Sequence, residues 1–431
     1  MFESLVEVDV CAGEAVLIER ISQLEAIKAA AAAGQARLTA AFVAARRARE
    51  EAAGMQVARR GRGVGSEVAL ARRDSPVLGG RHVGFAHAVV HEMPHTLAAL
   101  ESGVLSEWRA TLIVRESACL TVEDRRTLDA ELCADPARLV GCGDGRIAAD
   151  AKAIAYRLDP HAVVDRARKA ETQRCVTIRP APDTMTYLTA LLPVAQGVSV
   201  YAALKKAADT TFDERSRGQI MADTLVERVT GRAAATATPV AVNLVLSDET
   251  LMGGDDPAAL DGYGPIPAEI ACRLIDHAVK DPASKATLRK LYANAATGQL
   301  VAMQSRSRVF PKGLARFIGL RDQRCRTPYC GAPVRHRDHA IAAAAGGVTS
   351  AVNGQGLCER CNYVKEAPGW RVHTHIEADG THCAQIVTPA GATHRSTAPP
   401  ILPGRRRLDL SEVEQRMRIR LYDLREHPHA A

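Results

Sequence analysis

The segment CRTPYCGAPVRHRDHAIAAAAGGVTSAVNGQGLCERCNYVK, residues 325–365, carries the strongest structural signal in the chain. Four of the eleven cysteines lie here in two tight pairs, Cys325 with Cys330 and Cys358 with Cys361. A turn can direct both sulfurs of such a pair at one ion, and two pairs complete the tetrahedral set that zinc prefers in structural sites. We therefore expect these cysteines to bind a structural Zn²⁺ ion, which can contribute on the order of 10 kcal/mol to folding.

Basic residues are concentrated around this segment. The whole chain has 56 Lys and Arg against 49 Asp and Glu, a formal net charge of +7. Residues 306–371 hold twelve basic and four acidic side chains, a balance of +8, so the rest of the chain is close to neutral. This concentration indicates a surface for a polyanion such as nucleic acid.

The residues around the second cysteine pair suit phosphodiester hydrolysis, which needs a base for water, a cation beside the phosphate and a groove for the backbone. His339 is the natural base because imidazole exchanges a proton near neutral pH. Asp338 and Asn362 offer the hard oxygen ligands that Mg²⁺ and similar cations prefer. Taken singly, each residue type is more common in an ordinary turn or strand; their combination inside the cysteine frame favours a nuclease site.

These residues resemble a known nuclease module. The pattern Cys-x4-Cys, Asp-His, Gly-Gly-x-Thr, Asn, Leu-Cys-x2-Cys-Asn-x2-Lys and a trailing Gly-Trp is similar to the zinc-knuckle HNH (ββα-metal) endonucleases of many actinobacterial proteins. The resemblance implies that His339 activates water and that Asn353 hydrogen-bonds backbone to orient it. It also implies that Asp338 and Asn362 bind the catalytic cation. Asparagine at position 362, in place of the third histidine of the motif, favours Mg²⁺ or Mn²⁺ over transition metals.

The expected partner is DNA, and the candidate phosphate contacts are Arg335, Arg337 and Lys365. Lys365 fits a solvated helix residue equally well. An RNA-directed nuclease fits the same residues, since metal-assisted attack does not use the 2′-hydroxyl. The alternative from another class is a non-catalytic, zinc-dependent nucleic-acid-binding protein with a regulatory role, although binding alone needs neither Asp338 nor His339.

The upstream region is rich in alanine and poor in aromatic residues, which favours helices. Helical periodicity covers residues 14–52; a loop is expected at 54–66 and a helix start at Pro94. The stretch MPHTLAALESGVLSEWRA, residues 93–110, resembles the domain of unknown function that precedes HNH modules in mycobacterial repeat-family proteins. Further along, the patterns predict a strand at 174–179, buried helix and turn at 184–204, a strand at 239–247, a loop at 253–267 and a helix from Ala268.

We expect a mainly α N-terminal region (α+β) followed by a small zinc-stapled ββα-metal module. The expected divisions are a mostly helical domain at 1–231, its strand-plus-helix continuation at 232–303, the HNH module at 304–371, and a β-hairpin, Pro-rich linker and helix at 372–431. The hairpin should turn at Asp379-Gly380. Ser411 and Glu414 form a capping-box pattern before the last helix, whose apolar stripe could dock a second copy or a protein partner.

Composition excludes several classes. At 431 residues and 47% hydrophobic content the chain is too long for one ordinary domain and far from the disordered class. We expect no secretory leader, because the start is acidic. The longest charge-free stretch, 184–204, contains Pro193 and several hydroxyl residues, so we also expect no membrane span and a cytoplasmic location. We expect the other cysteines to be small core residues (Cys11, Cys119, Cys133, Cys142, Cys175, Cys272). A second group is expected to lie in strands at the surface without binding metal (His336, His373, His375, His382, Cys383).

Overall fold

A computed structural model describes residues 7–8, 11–233, 244–247, 250, 254–261, 263–280 and 310–402. The chain is of mixed α/β class, with many helices and small antiparallel sheets. It divides into two compact units, the first mainly Met1–Leu225 and the second mainly from Val226 onward. Among the described residues, no helix is long and apolar enough to cross a membrane.

Helices dominate the first unit, and the helical prediction for residues 14–52 is confirmed. The α-helices before residue 172 are α1 (Glu14–Ala52), α2 (Val64–Ala71), α3 (Gly79–His91), α4 (Pro94–Glu101), α5 (Glu107–Glu116), α6 (Val122–Cys133), α7 (Asp144–Leu158) and α8 (Pro160–Glu171). Helix α4 begins at Pro94 as expected. The expected loop at 54–66 is shorter than predicted, because a 3₁₀ turn covers Val57–Arg59 and α2 already begins at Val64.

Small residues set the packing of these helices. Ala29, Ala32, Ala33 and Ala36 form a stripe at helical spacing on α1 and pack against buried residues of α3 and α4. Helices α2 and α3 approach still more closely, since a Cβ added to Gly79 would lie 1.8 Å from the carbonyl oxygen of Gly65. Alanines on α1 and glycines between α2 and α3 therefore allow these helices to pack closely.

A β-hairpin corrects one prediction. Strand β1 (Cys175–Ala181) pairs antiparallel with β2 (Met185–Leu191), and side chains of both strands are largely exposed. The expected buried helix and turn at 184–204 is therefore wrong over β2, where Thr186, Tyr187 and Thr189 favour a strand, and its burial is wrong over the helix that follows, in which Ala208 alone is buried. Helix α9 (Val194–Thr210) starts directly after Pro193, and α10 (Arg217–Thr230) follows.

The second unit begins with a small sheet. Strands β3 (Leu244–Val245), β4 (Ala258–Leu260) and β5 (Gly264–Ile266) pair antiparallel in that order, so the expected loop at 253–267 contains two strands. Helix α11 (Ala268–Lys280) begins where predicted. Residues 239–243 of the strand expected at 239–247 lie outside the described residues.

The C-terminal part contains the elements that build the site. They are α12 (Lys312–Asp322), β6 (His336–His339), β7 (Gly354–Leu357) and α13 (Glu359–Lys365). Strands β8 (Arg371–Ile376) and β9 (His382–Val387) form the expected hairpin, and a third strand that the sequence did not predict, β10 (Thr393–Thr397), pairs with β9. The expected C-terminal helix with Ser411 and Glu414 lies outside the described residues.

Candidate metal centre and active site

The four paired cysteines converge in the structure. Cys325, Cys330, Cys358 and Cys361 are all buried, and their sulfur atoms lie within 4.8 Å of one another. Cys358 directly follows β7, and Cys361 lies in the first turn of α13. The backbone N–H of Cys361 donates to the Cys358 sulfur, and the nitrogen and sulfur are 3.5 Å apart. This set could hold a structural metal such as zinc, because four close thiolates are the ligands of closed zinc sites.

The candidate active-site residues lie on one strand pair and the helix after it. Strand β6 pairs antiparallel with β7, with Asp338 opposite Gln355 and His339 opposite Gly354. Helix α13 begins at Glu359, two residues beyond β7, and carries Asn362. The predicted acid, base and amide are thus placed by a strand, strand, helix sequence that contains the second cysteine pair.

A buried ion pair holds strand β7 in place. Arg321 and Asp322 end α12, and Nε of Arg321 lies 2.7 Å from Oδ1 of Asp322. Asp322 accepts the Gly356 backbone N–H at 2.6 Å, and Arg321 donates to the Gly354 carbonyl at 2.7 Å. The packing favours glycine at position 354, where a Cβ would lie 2.9 Å from the backbone oxygen of Ser350 and 2.4 Å from Cδ1 of Ile318. Helix α12 therefore fixes the strand opposite His339.

His339 is buried, with 5% of its surface exposed. Its Nε2 lies 2.8 Å from Oγ1 of Thr349. The backbone N–H of His339 donates to Oδ1 of Asp338 at 2.8 Å, while the ring Nδ1 is 3.7 Å from the same oxygen. The ring of Phe310 lies 4.5 Å from the imidazole, centre to centre. The two ring nitrogens therefore have different surroundings, a hydroxyl at Nε2 and a carboxylate beside Nδ1.

Asn353 ties together the loop that follows His339. Its Oδ1 accepts the Ile341 backbone N–H at 2.9 Å, and its Nδ2 donates to the carbonyls of Ile341 at 3.0 Å and Val348 at 2.9 Å. Its own carbonyl accepts the N–H of Ala340, the residue after His339, at 2.7 Å. The buried amide thus fixes backbone on both sides of the loop and directly beside the histidine.

Asp338 is held ionised by its neighbours. Lys365 Nζ lies 3.1 Å from Oδ2 of Asp338, and only 7% of the lysine side chain is exposed, so the expectation of a solvated helix residue is wrong. Partial burial acts to raise the pKa of Asp338, but the His339 N–H and the Lys365 charge lower it further, and the net pKa falls below its usual value. The carboxylate is therefore available as a cation ligand at neutral pH.

The buried Gln355 and the half-buried Asn362 have buried polar atoms with no hydrogen-bond partner among the described residues. These atoms are Oδ1 of Asn362 and both amide atoms of Gln355. Gln355 lies directly across from Asp338 on the same sheet face. Asn362 lies on α13 three residues before Lys365, which contacts Asp338, and residues at this spacing are neighbours on a helix surface. A buried oxygen without a donor is costly unless something binds it, so the residues present fit an oxygen-liganded cation.

The basic surface is smaller than the charge count suggests. Arg335 and Arg337 are exposed on and before β6. Arg321 and Arg326, by contrast, are buried; Arg326 donates to the carbonyls of His382 at 3.1 Å and Ser396 at 2.7 Å. Part of the basic excess therefore stabilises the fold, and the two exposed arginines remain the candidate phosphate contacts beside the site.

A second cluster does not extend the metal centre. His375, Glu377 and Cys383 bring ligand atoms within 4.8 Å, but Arg395 donates to Cys383 at 3.0 Å and to Glu377 at 2.6 Å, so a cationic side chain already lies there.

Several single-residue expectations are corrected. His382 and Cys383 are buried and not at the surface. Burial, followed by the nearby Arg321 charge, lowers the pKa of His382 to about 4. Cys133 is a core residue as expected, and burial raises the pKa of its thiol to about 12. Cys11 and Cys175 are exposed, so the core prediction is wrong for them. Apolar neighbours in sequence do not ensure burial, because the side chain can face solvent.

Three residues near His339 and Asp338 received no role from the sequence. Thr349 is the threonine of the Gly-Gly-x-Thr pattern. The pattern therefore included Thr349 but did not indicate that this residue contacts His339. Phe310 and Gln355 carried no signal, because their proximity to the site depends on the pairing of β6 with β7 and on the start of α12.

Comparison with known families covers the region before the site. The family model described as "Domain of unknown function (DUF222)" matches residues 20–322, more than two thirds of the chain. The four cysteines and Asp338, His339 and Asn362 all lie after the matched range. No curated protein and no solved structure matches the chain.

Proposed function

We propose that this chain, which belongs to the DUF222 family of domains of unknown function, is a metal-dependent DNA endonuclease whose active site follows the family domain. The observation that carries the proposal is the placement of Asp338 and His339 on β6 and of Asn362 on α13, the helix that follows the paired strand β7, beside four convergent cysteines. This order of elements is the one expected of the HNH module that the sequence resembles. DUF222 domains are often associated with HNH endonucleases, which supports the proposal.

Each residue has a defined part in the proposed reaction. His339 accepts a proton from the water that attacks the phosphodiester. Asp338 and Asn362 hold Mg²⁺ or Mn²⁺, which when bound supplies positive charge to the phosphate and the leaving oxygen. Asn353 keeps the backbone beside His339 in place through its hydrogen bonds to Ala340, Ile341 and Val348. The products are a 5′-phosphate and a 3′-hydroxyl.

Substrate binding rests on exposed charge. Arg335 and Arg337, both exposed, contact backbone phosphates beside the cut bond, and such contacts weaken with added salt. DNA is the proposed substrate, and RNA is compared with it in the experiment. A binding protein without activity is the competing function; it gives no reason for a histidine and an ionised carboxylate placed side by side.

Supercoiled plasmid and a single-stranded RNA provide the test. Full-length protein with its zinc retained and other cations removed is incubated with added Mg²⁺ or Mn²⁺. We expect cation-dependent nicking of the plasmid by the wild type and by His373→Ala, an exposed strand histidine that serves as the matched control. Asn362→Ala should lower the rate about tenfold or more, because one cation ligand is lost.

The competing functions give different results. Salt-sensitive plasmid binding with no nicking in any cation would refute the nuclease and favour the binding protein. Cutting of RNA alone would replace the proposed substrate class. Equal rates for wild type and Asn362→Ala would refute the assigned cation ligand.

A further inference from the structure

The two nitrogens of the His339 ring face opposite kinds of environment. On one side Nε2 lies 2.8 Å from Oγ1 of Thr349, and both side chains are buried, with 5% and 6% of their surfaces exposed. On the other side Nδ1 lies 3.7 Å from Oδ1 of Asp338, whose side chain is 35% exposed. A water molecule that reaches the histidine from the Asp338 side therefore meets Nδ1.

We propose that Thr349 is a positioning residue for His339. Its hydroxyl accepts the proton of Nε2 and so presents the lone pair of Nδ1 toward Asp338. The catalytic part of this inference rests on the proposed function, whereas the contact itself does not. Neutral imidazole has one N–H, so a proton fixed on Nε2 leaves Nδ1 as the only ring nitrogen able to accept another.

The opposite tautomer fits the structure less well. A proton on Nδ1 would need an acceptor, and 3.7 Å to Oδ1 of Asp338 is too long for a hydrogen bond. That oxygen already accepts the backbone N–H of His339 at 2.8 Å. A proton on Nε2, by contrast, points at a hydroxyl oxygen at hydrogen-bonding distance. The Lys365 ammonium, 3.1 Å from Oδ2 of Asp338, offsets the carboxylate charge beside Nδ1, so the hydrogen-bonding distances favour Nε2–H.

The surroundings hold Thr349 at this distance. The carbonyl of Val348, on one side, accepts from Asn353 Nδ2 at 2.9 Å, and the hydroxyl of Ser350, on the other, accepts the Asn353 backbone N–H at 3.0 Å. The threonine is thus held between two anchored neighbours. On the imidazole, the Phe310 ring at 4.5 Å restricts rotation away from the hydroxyl. A ring flip would exchange the nitrogens and lose the Thr349 contact.

The proton and bond changes in the step balance. The water oxygen forms a bond to phosphorus, and one water proton passes to Nδ1 of His339. The bond between phosphorus and the 3′ oxygen breaks, and that oxygen takes a proton from solvent. The imidazolium then returns its extra proton to solvent, which restores the Nε2–H tautomer. Thr349 stays bonded to Nε2 throughout and holds the ring as its charge changes.

Two variants separate the hydroxyl from the volume of Thr349. Thr349→Val keeps the shape and removes the hydroxyl, and Thr349→Ser keeps the hydroxyl. The protein is labelled with ¹⁵N-histidine, and the His339 ring signals are identified by their absence in His339→Gln. Zinc content and circular dichroism must match the wild type in every sample, and plasmid cleavage is measured in parallel.

We expect the Nε2–H tautomer in the wild type and in Thr349→Ser, and a mixture of tautomers in Thr349→Val. We also expect kcat to fall about tenfold or more in Thr349→Val with little change in KM, and to recover in Thr349→Ser to within about threefold of the wild type. A wild-type Nδ1–H tautomer, or a Thr349→Val variant with unchanged tautomer and kcat, would overturn the proposal. Absence of any cleavage by the wild type would instead overturn the proposed function and the catalytic part of this inference, while the tautomer still reports on the contact.

Discussion

Replacing Asn353 by alanine should open the loop beside His339. The substitution removes three side-chain hydrogen bonds, to the Ile341 N–H at 2.9 Å, the Ile341 carbonyl at 3.0 Å and the Val348 carbonyl at 2.9 Å. A hydrogen bond contributes about 1 kcal/mol net, and a buried group left without a partner costs about 1–3 kcal/mol. Water entering the new space satisfies some of these groups, so we expect a total cost of about 3 kcal/mol.

Hydrogen exchange measures this cost locally. A loss of about 3 kcal/mol corresponds to roughly 100-fold faster exchange of the Ile341 amide, because about 1.4 kcal/mol is a factor of ten. The matched control is Asn362→Ala in the same zinc-containing protein. Oδ1 of Asn362 has no hydrogen-bond partner among the described residues, so this change should cost less than about 1 kcal/mol. The reasoning is refuted if Asn353→Ala accelerates exchange by less than about tenfold, or if both variants behave alike.

Three further predictions concern stability. Elemental analysis should find one zinc ion per chain. Removal of the ion by a strong chelator, or the change Cys358→Ser, should increase proteolysis within residues 325–365. Unchanged digestion would contradict a structural metal site. Glu67→Gln breaks the buried ion pair with Arg46, in which the nitrogen and oxygen are 2.8 Å apart. This change should lower the free energy of unfolding, measured by urea denaturation, by about 3–5 kcal/mol. The control Glu25→Gln breaks an exposed pair and should lower it by less than about 1 kcal/mol. The pKa of His382 is lowered from 6.5 to about 4, so protonation of this histidine favours unfolding. The stability that neutral His382 contributes is complete above about pH 6.5 and decreases as the pH falls toward 4. The total loss is roughly 3 kcal/mol. His382→Gln should flatten this part of the pH–stability curve at equal zinc content, and a curve parallel to the wild type would show that His382 does not titrate there.

The sequence predicted features that depend on local spacing. Two cysteine pairs indicated a common metal site, and the four buried sulfurs meet within 4.8 Å. The extent of α1 and the helix starts at Pro94 and Ala268 were readable because helical periodicity and proline preferences act over a few residues. The Asp379-Gly380 turn of the β8–β9 hairpin is of the same local kind.

Features that depend on distant contacts were missed. Lys365 was expected to be either a phosphate contact or a solvated residue, and its burial against Asp338 follows from how α13 packs on β6. His382 is buried because residues about thirty and sixty positions away, Val352 and Arg321, lie beside it. Strand β2 was taken for buried helix because a charge-free stretch suggests burial, whereas pairing with β1 leaves it exposed. Burial and pairing of this kind are set by the tertiary structure.

The most direct test of the nuclease proposal is the rate of Mg²⁺-dependent plasmid cleavage by His339→Ala against the wild type, at equal zinc content. His373→Ala again serves as the control for a histidine change elsewhere. Loss of a general base should lower the rate about 10²- to 10⁴-fold in His339→Ala and leave the control unchanged. Cleavage by His339→Ala at the wild-type rate would contradict the account.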